Sequence, residues 1–153
     1  MVRTELTHTF PVPLKQAFDY LDDFKLWPNW YSGLTEIIEP DGAAWDKPGD
    51  KVRWAYRLLG RRLEGESILE EMKPAELVTF ISKVPGLPDV RHEWLYVAAG
   101  DKDFVLKVIM ETEEPTTFFG KAIDRMVLPR ALERDLKQTM ENLADIFALG
   151  IPE

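Results

Sequence analysis

The chain has no cysteine, which excludes disulfides, thiolate nucleophiles and Cys-ligated zinc or iron–sulfur sites. Its two histidines, His8 and His92, lack the helical spacing of a paired-His metal site. No apolar run approaches the roughly 18 residues of a membrane span. Met1 to Phe10 alternates polar and apolar residues and has no apolar block that a signal peptide could use. There is no Gly-rich phosphate loop, serine elbow or catalytic carboxylate motif. Basic residues are scarce relative to acidic ones, 19 against 27 for a net charge of −8. Such a field repels phosphate backbones and anionic lipid surfaces. These absences point away from nucleic acid, integral membrane association, metals and cofactors. They lead to the expectation of a cytoplasmic protein.

What is present is enough for a core. The 153 residues are 45% hydrophobic and 11% aromatic, which suits one folded domain spanning 1–153. Val2, Thr4, Leu6, His8 and Phe10 share one face of a first strand, which Pro11 and Pro13 stop. Leu14, Ala17, Phe18 and Leu21 then follow the i, i+3, i+4, i+7 pattern of an amphipathic helix, although Val12 offers no capping oxygen. Phe24 to Tyr31 predicts a second short helix, ended by Gly33. Six more strands are expected over Leu34–Glu39, Asp50–Leu59, Arg62–Met72, Glu76–Lys83, Val90–Ala99 and Asp103–Thr112, each bounded by turn residues. The stripe Leu132, Leu136, Met140, Leu143, Phe147 predicts a long C-terminal helix ending near Leu149. A helical piece over Phe118–Leu128 precedes it, with Pro129 as a kink or break.

Two hairpins set which face is inside. A Gly60-Arg61 turn of type II′ would place Leu59 opposite Arg62, Tyr56 opposite Gly65 and Trp54 opposite Ser67. The alternate face would carry Arg57 opposite Glu64 and Lys51 opposite Glu70, charges too costly to bury unpaired. The small residues Gly65 and Ser67 would leave room that Tyr56 and Trp54 fill or line. A three-residue Gly100-Asp101-Lys102 loop places His92 opposite Met110, Trp94 opposite Val108 and Tyr96 opposite Leu106. The outer face of that hairpin carries Leu95, Val97, Val105 and Ile109, a candidate homodimer surface. The face of the fifth strand is undetermined, since Leu77, Thr79 and Ile81 compete evenly with Val78 and Phe80.

On these residues the chain resembles the START-like, helix-grip (SRPBCC) superfamily, which includes the polyketide cyclase/dehydrase-like and lipid-transport proteins. The resemblance lies in Phe10-Pro11-Val12-Pro13 followed by Ala17-Phe18, in Asp22 through Trp30, and in Pro48-Gly49-Asp50 leading into Val52-Arg53-Trp54. It implies an α+β helix-grip fold: a curved seven-stranded antiparallel sheet wrapped round the long C-terminal helix, with two short helices between strands 1 and 2. It also implies a cavity between sheet and helix for a small hydrophobic ligand such as a lipid, a polyketide or an aromatic compound.

The residues expected to bind that ligand are Trp54, Tyr56, Ser67, His92, Trp94, Tyr96, Phe119, Ile123 and Met126. His92 reads either as a hydrogen-bonded inward histidine or as a ligand contact. If the protein is an enzyme of the cyclase/dehydratase type, His92 with Tyr56 or Tyr96 would transfer the proton. Trp27 and Trp30 read as helix packing, and Trp45 as a lid or an exposed loop residue. Three functions compete: a binder or carrier, a cyclase/dehydrase-like enzyme, and a protein-binding module resembling the Hsp90-activator branch.

Overall fold

The computed structural model describes residues 1–152. Strand β1 (Val2–Phe10) leads through Pro11 to helix α1 (Leu14–Asp22) and a 3₁₀ turn over Phe24–Asn29. Then come β2 (Leu34–Ile38), β3 (Lys51–Leu58), β4 (Arg61–Lys73), β5 (Leu77–Lys83), β6 (Val90–Ala98) and β7 (Phe104–Thr112). A small hairpin, β8 (Thr117–Phe118) and β9 (Lys121–Ala122), precedes helix α2 (Val127–Ala148). The seven long strands form one antiparallel sheet in the order β1-β7-β6-β5-β4-β3-β2. This is the helix-grip arrangement. Among the described residues no helix is long and apolar enough to cross a membrane.

The helical stripes bury as their spacing requires. Ala17, Phe18 and Leu21 of α1, and Leu136, Met140, Leu143 and Phe147 of α2, join one core with the inward residues of the sheet. At the start of α1 no side chain caps the helix, as Val12 and Pro13 foretell.

The β6–β7 register is the expected one: His92 opposes Met110, Trp94 opposes Val108 and Tyr96 opposes Leu106. The β3–β4 register is displaced by two residues, with Leu58 opposite Arg61, Tyr56 opposite Leu63, Trp54 opposite Gly65 and Arg57 opposite Arg62. The turn is Leu59-Gly60, and both residues have positive φ (50° and 76°), the backbone of a type I′ turn. A shift of two keeps every side chain on its face. Arg57 is therefore still outside, and Glu64 takes ion pairs from Arg62 at 2.8 Å and Arg53 at 4.0 Å. Pairing with β6 resolves β5: Val78 and Phe80 oppose Trp94 and His92 and so face inward.

The segment before α2 is not helical. Phe119 and Gly120 both take positive φ and turn the chain into the β8–β9 hairpin. Helix α2 begins only after Asp124, whose Oδ1 accepts from the Met126 N–H at 2.9 Å. Pro129 breaks nothing, because it is the third residue of the helix, where no intrahelical acceptor awaits its missing N–H. On the outer face of β6–β7, Val97 is 62% exposed while Ile109 is only 7% exposed. Leu95, Val97, Val105 and Ile109 thus do not form one equally open patch.

Candidate functional site

The inner face of the sheet, α1, the 3₁₀ turn and the first turns of α2 enclose a cavity of about 130 Å³. The chain has five tryptophans, and all five line it: Trp27, Trp30, Trp45, Trp54 and Trp94. Tyr31, Tyr56, Tyr96, Phe80 and His92 complete the aromatic wall. The rings run in contact. Trp27 stands edge-on to Trp45 at 5.0 Å, Trp45 to Phe80 at 5.5 Å, and Phe80 stacks on His92 at 4.5 Å and 8°. Trp30 and Tyr31 both meet Trp94, and Tyr31 leads to Tyr56 and Trp54.

Each wall section is held by backbone or helix contacts. Thr139 on α2 accepts from the Ser32 N–H at 3.0 Å, and Asn142 donates to the Trp30 carbonyl at 3.1 Å. These two bonds fix the Trp30–Ser32 segment against the helix. Trp27 donates through Nε1 to the Leu21 carbonyl at 2.9 Å. The Trp45 loop is closed by Asp50, whose Oδ2 accepts from the Asp46 and Lys47 N–H groups. Those bonds hold the Asp50 carboxyl below its ordinary range, Lys47 contributing most. The Gly49 N–H and Leu69 carbonyl then tie the loop to β4 at 2.7 Å. Gly33, at φ +91°, sits under Tyr56, where a Cβ would come within 2.7 Å of the ring.

Of the residues expected from the sequence, Trp54, Tyr56, Ser67, His92, Trp94 and Tyr96 come together on the wall. Phe119, Ile123 and Met126 do not. They belong to the hairpin and loop that replace the expected helical piece, and Phe119 lies exposed beneath the Arg61 guanidinium at 3.8 Å. Trp27 and Trp30, read as packing, line the cavity, and Trp45 is buried rather than exposed. Gly65 leaves no room for a ligand. The Trp54 ring fills the space above it, and an added Cβ would lie 2.6 Å from the Lys83 carbonyl. Ser67 accepts from Trp54 Nε1 at 2.9 Å and bonds Ser82 at 3.1 Å.

Two groups escaped the sequence reading. Asp135 on α2 accepts from the Tyr56 hydroxyl at 2.6 Å, a pairing across 79 residues that no local spacing announces. Asp22, the last residue of α1, lines the cavity. It does so from the polar edge of an amphipathic helix, where an acid ordinarily reads as solvated.

Burial dominates the electrostatics. It drives His92 down to about 3, so the imidazole is neutral throughout the physiological range. It raises Tyr31, Tyr56 and Tyr96, with Asp135 adding to the first two and Asp22 to the third. Asp22 is pushed up to about 6, first by burial and then by Asp46, Asp19 and Asp23. Burial also raises Asp135, against the lowering pull of the Tyr56 hydroxyl and Arg134. Trp30 Nε1, Trp94 Nε1 and His92 Nδ1 are buried without a hydrogen-bond partner among the described residues. Nor do any three His, Asp or Glu side chains converge there as a metal-binding group.

The same fold recurs in solved structures of low sequence identity. An aromatase/cyclase, ZhuI, from a Streptomyces species shares 16% identity over 94% of this chain and 92% of its own, with a TM-score of 0.75. Protein CV1439 from Chromobacterium violaceum shares 16% over the whole of both chains, with a TM-score of 0.71. A START superfamily protein from Mycobacterium smegmatis shares 15% over 95% and 93%, with a TM-score of 0.65. No curated protein matches the chain. A family model does, over residues 1–148: the chain belongs to the family described as polyketide cyclase/dehydrase and lipid transport.

Proposed function

We propose that the protein binds a small, largely apolar, ring-bearing molecule in its aromatic cavity and holds it without transforming it. The observation that carries this reading is the convergence of all five tryptophans on one cavity of about 130 Å³. At ~24 cal/mol per Å³, leaving that space dry and empty would cost at most about 3 kcal/mol, against the ~5–15 kcal/mol by which domains are stable. An apolar cavity of ~150 Å³ accepts benzene, so the closed form suits a single ring. Trp54, Tyr56, Ser67, His92, Trp94 and Tyr96 are the proposed contacts.

A cyclase/dehydratase reading is the runner-up, favoured by Tyr56 on the wall and the Asp135 carboxylate that accepts from its hydroxyl. It is the weaker of the two because proton transfer at neutral pH works best with groups titrating near neutrality. His92 lies far below that range and the tyrosines are raised above their ordinary one. Asp22, pushed up to about 6, is the one wall group near it, and no second wall group titrates there to share a proton transfer.

The test is native mass spectrometry of the purified chain, followed by thermal melts of the stripped protein against a panel of ring compounds. A bound adduct is expected. A ligand at ~100 times its Kd adds about 2.7 kcal/mol, which at ~2–4 °C per kcal/mol is a rise of roughly 5–11 °C. No adduct and no shift with any ring compound would remove the binding reading.

A further inference from the structure

We propose that the molecule the cavity accepts is an organic cation, a ring-bearing amine whose ammonium group lies between the Asp22 carboxylate and the surrounding aromatic faces. This rests on the cavity being a binding site and adds the charge of its occupant.

The wall contains no lysine or arginine, and Asp22 is its one carboxylate. His92 is the only other side chain there that could carry a charge near neutrality, and burial keeps it neutral. An anionic ligand would find no counter-ion and nine aromatic rings, whose π faces are negative at the centre. A cation finds the opposite: those faces attract it, the more strongly for being shielded from water. The net charge of −8 favours its approach.

Asp22 is also placed where the fold gives it no support. It is the last residue of α1, at the negative end of the helix dipole. The charged groups that raise its pKa are acids: Asp46 on the β2–β3 loop, Asp19 on the same helix and Asp23 just beyond it. Tyr96 faces it from β6. No hydrogen bond or ion pair reaches its carboxylate among the described residues, and its burial is partial. A half-buried carboxylate among other carboxylates is destabilising in the empty protein. An ammonium ion supplies the missing partner, and the cavity beside it has the volume of one ring.

The experiment uses the full chain and three probes of one shape: benzylamine, benzyl alcohol and benzoate. Binding is read by tryptophan fluorescence and calorimetry at pH 7.5. Benzylamine should bind about ten- to a hundredfold more tightly than benzyl alcohol, the range expected of a charge-assisted hydrogen bond, and benzoate should not bind. Asp22→Asn keeps the shape of the site and should erase the preference for the amine over the alcohol. A second measurement needs no variant. Lowering the pH from 7.5 to 5 protonates Asp22 and should weaken benzylamine alone. Equal affinity for amine and alcohol in the native chain, or an amine preference that survives Asp22→Asn, would overturn the proposal while leaving the binding reading intact. If none of the three binds and the purified protein carries no adduct, both fall.

Discussion

Two carboxyl groups stand beside the aromatic cavity, and the fold treats them differently. Asp135, on α2, receives the Tyr56 hydroxyl at 2.6 Å and has the Arg134 guanidinium 4.0 Å away. Asp22, at the end of α1, has no hydrogen bond or ion pair among the described residues and is acted on by Asp46, Asp19 and Asp23. Burial raises both, but Asp135 is partly compensated by its partners and Asp22 is driven further up by its neighbours. The first pins β3 to the helix across the cavity wall. The second performs no such service, and a chain selected for stability alone would have little reason to keep an acid there. A satisfied buried acid is accounted for by structure, whereas an unsatisfied one calls for a partner from outside.

The largest effect is expected from breaking the satisfied pair. Tyr56→Phe keeps the ring against Tyr31 and Trp54 but removes the donor from a partly buried carboxyl. The cost should be about 1–3 kcal/mol, or a fall in Tm of roughly 2–12 °C, read by calorimetry at pH 7. An unchanged Tm would show that the Tyr56–Asp135 bond does not hold the wall, and the contrast with Asp22 would lose its basis.

Asp22→Asn should act in the opposite direction. The folded state holds the Asp22 proton up to about pH 6, against an ordinary value of 3.8. Folded stability from this group is therefore greatest below pH ~4 and declines as pH rises through 6. That difference corresponds to roughly 3 kcal/mol at most, and solvent at the exposed side reduces this to ~1 kcal/mol. The asparagine variant should be more stable than the native chain at pH 7 and no more stable at pH 3.5. His92 has the reverse dependence. Its folded value of about 3 lies below the ordinary 6.5, so stability falls as pH drops from 6.5 toward 3, where the unfolded imidazole takes a proton and the folded one does not. In the native chain the two trends oppose each other, and removing Asp22 should leave the steeper acid loss due to His92. Urea titrations at several pH values separate them. An asparagine variant less stable at pH 7 would mean that Asp22 already has a partner.

Much of this arrangement is legible in the residues, and the reasons for the remainder are physical. The β6–β7 register follows from a loop whose length suits its strands. The faces of β3 and β4 follow from alternation, because burying Arg53 or Arg57 is prohibitive. Alternation has period two, however, and cannot distinguish registers that differ by two residues. Choosing between Leu59-Gly60 and Gly60-Arg61 meant knowing that a leucine would accept positive φ, which composition argues against. The tryptophans of the 3₁₀ turn and the Trp45 loop were visible as hydrophobic residues, but their convergence on one space depends on how α1 and the loop fold over the sheet. Asp135 and Asp22 were the least accessible. One is joined to Tyr56 across the whole molecule, and the other sits on a helix edge that periodicity assigns to water.

The smallest effect tests that turn and separates the hairpin end of the cavity from the Asp22 end. Leu59 sits at φ +50° and is 38% exposed, with Gly60 at +76°. A leucine in this region crowds its Cβ against the carbonyl that follows, at about 1–2 kcal/mol, while asparagine tolerates it and Asn-Gly is the preferred type I′ pair. Leu59 gives up little packing, since the apolar contacts that seat the hairpin on α2 come from Leu58 and Leu63 against Leu128 and Ala131. Leu59→Asn should therefore stabilise the chain by about 0.5–1 kcal/mol, raising Tm by roughly 1–4 °C. Because the substitution touches none of the groups around Asp22, the preference for amine over alcohol should be unchanged. A lower Tm would show that the exposed leucine packs more than it strains. A changed ligand preference would show that the two ends of the cavity are coupled through β3, and that Asp22 does not set the charge of the occupant alone.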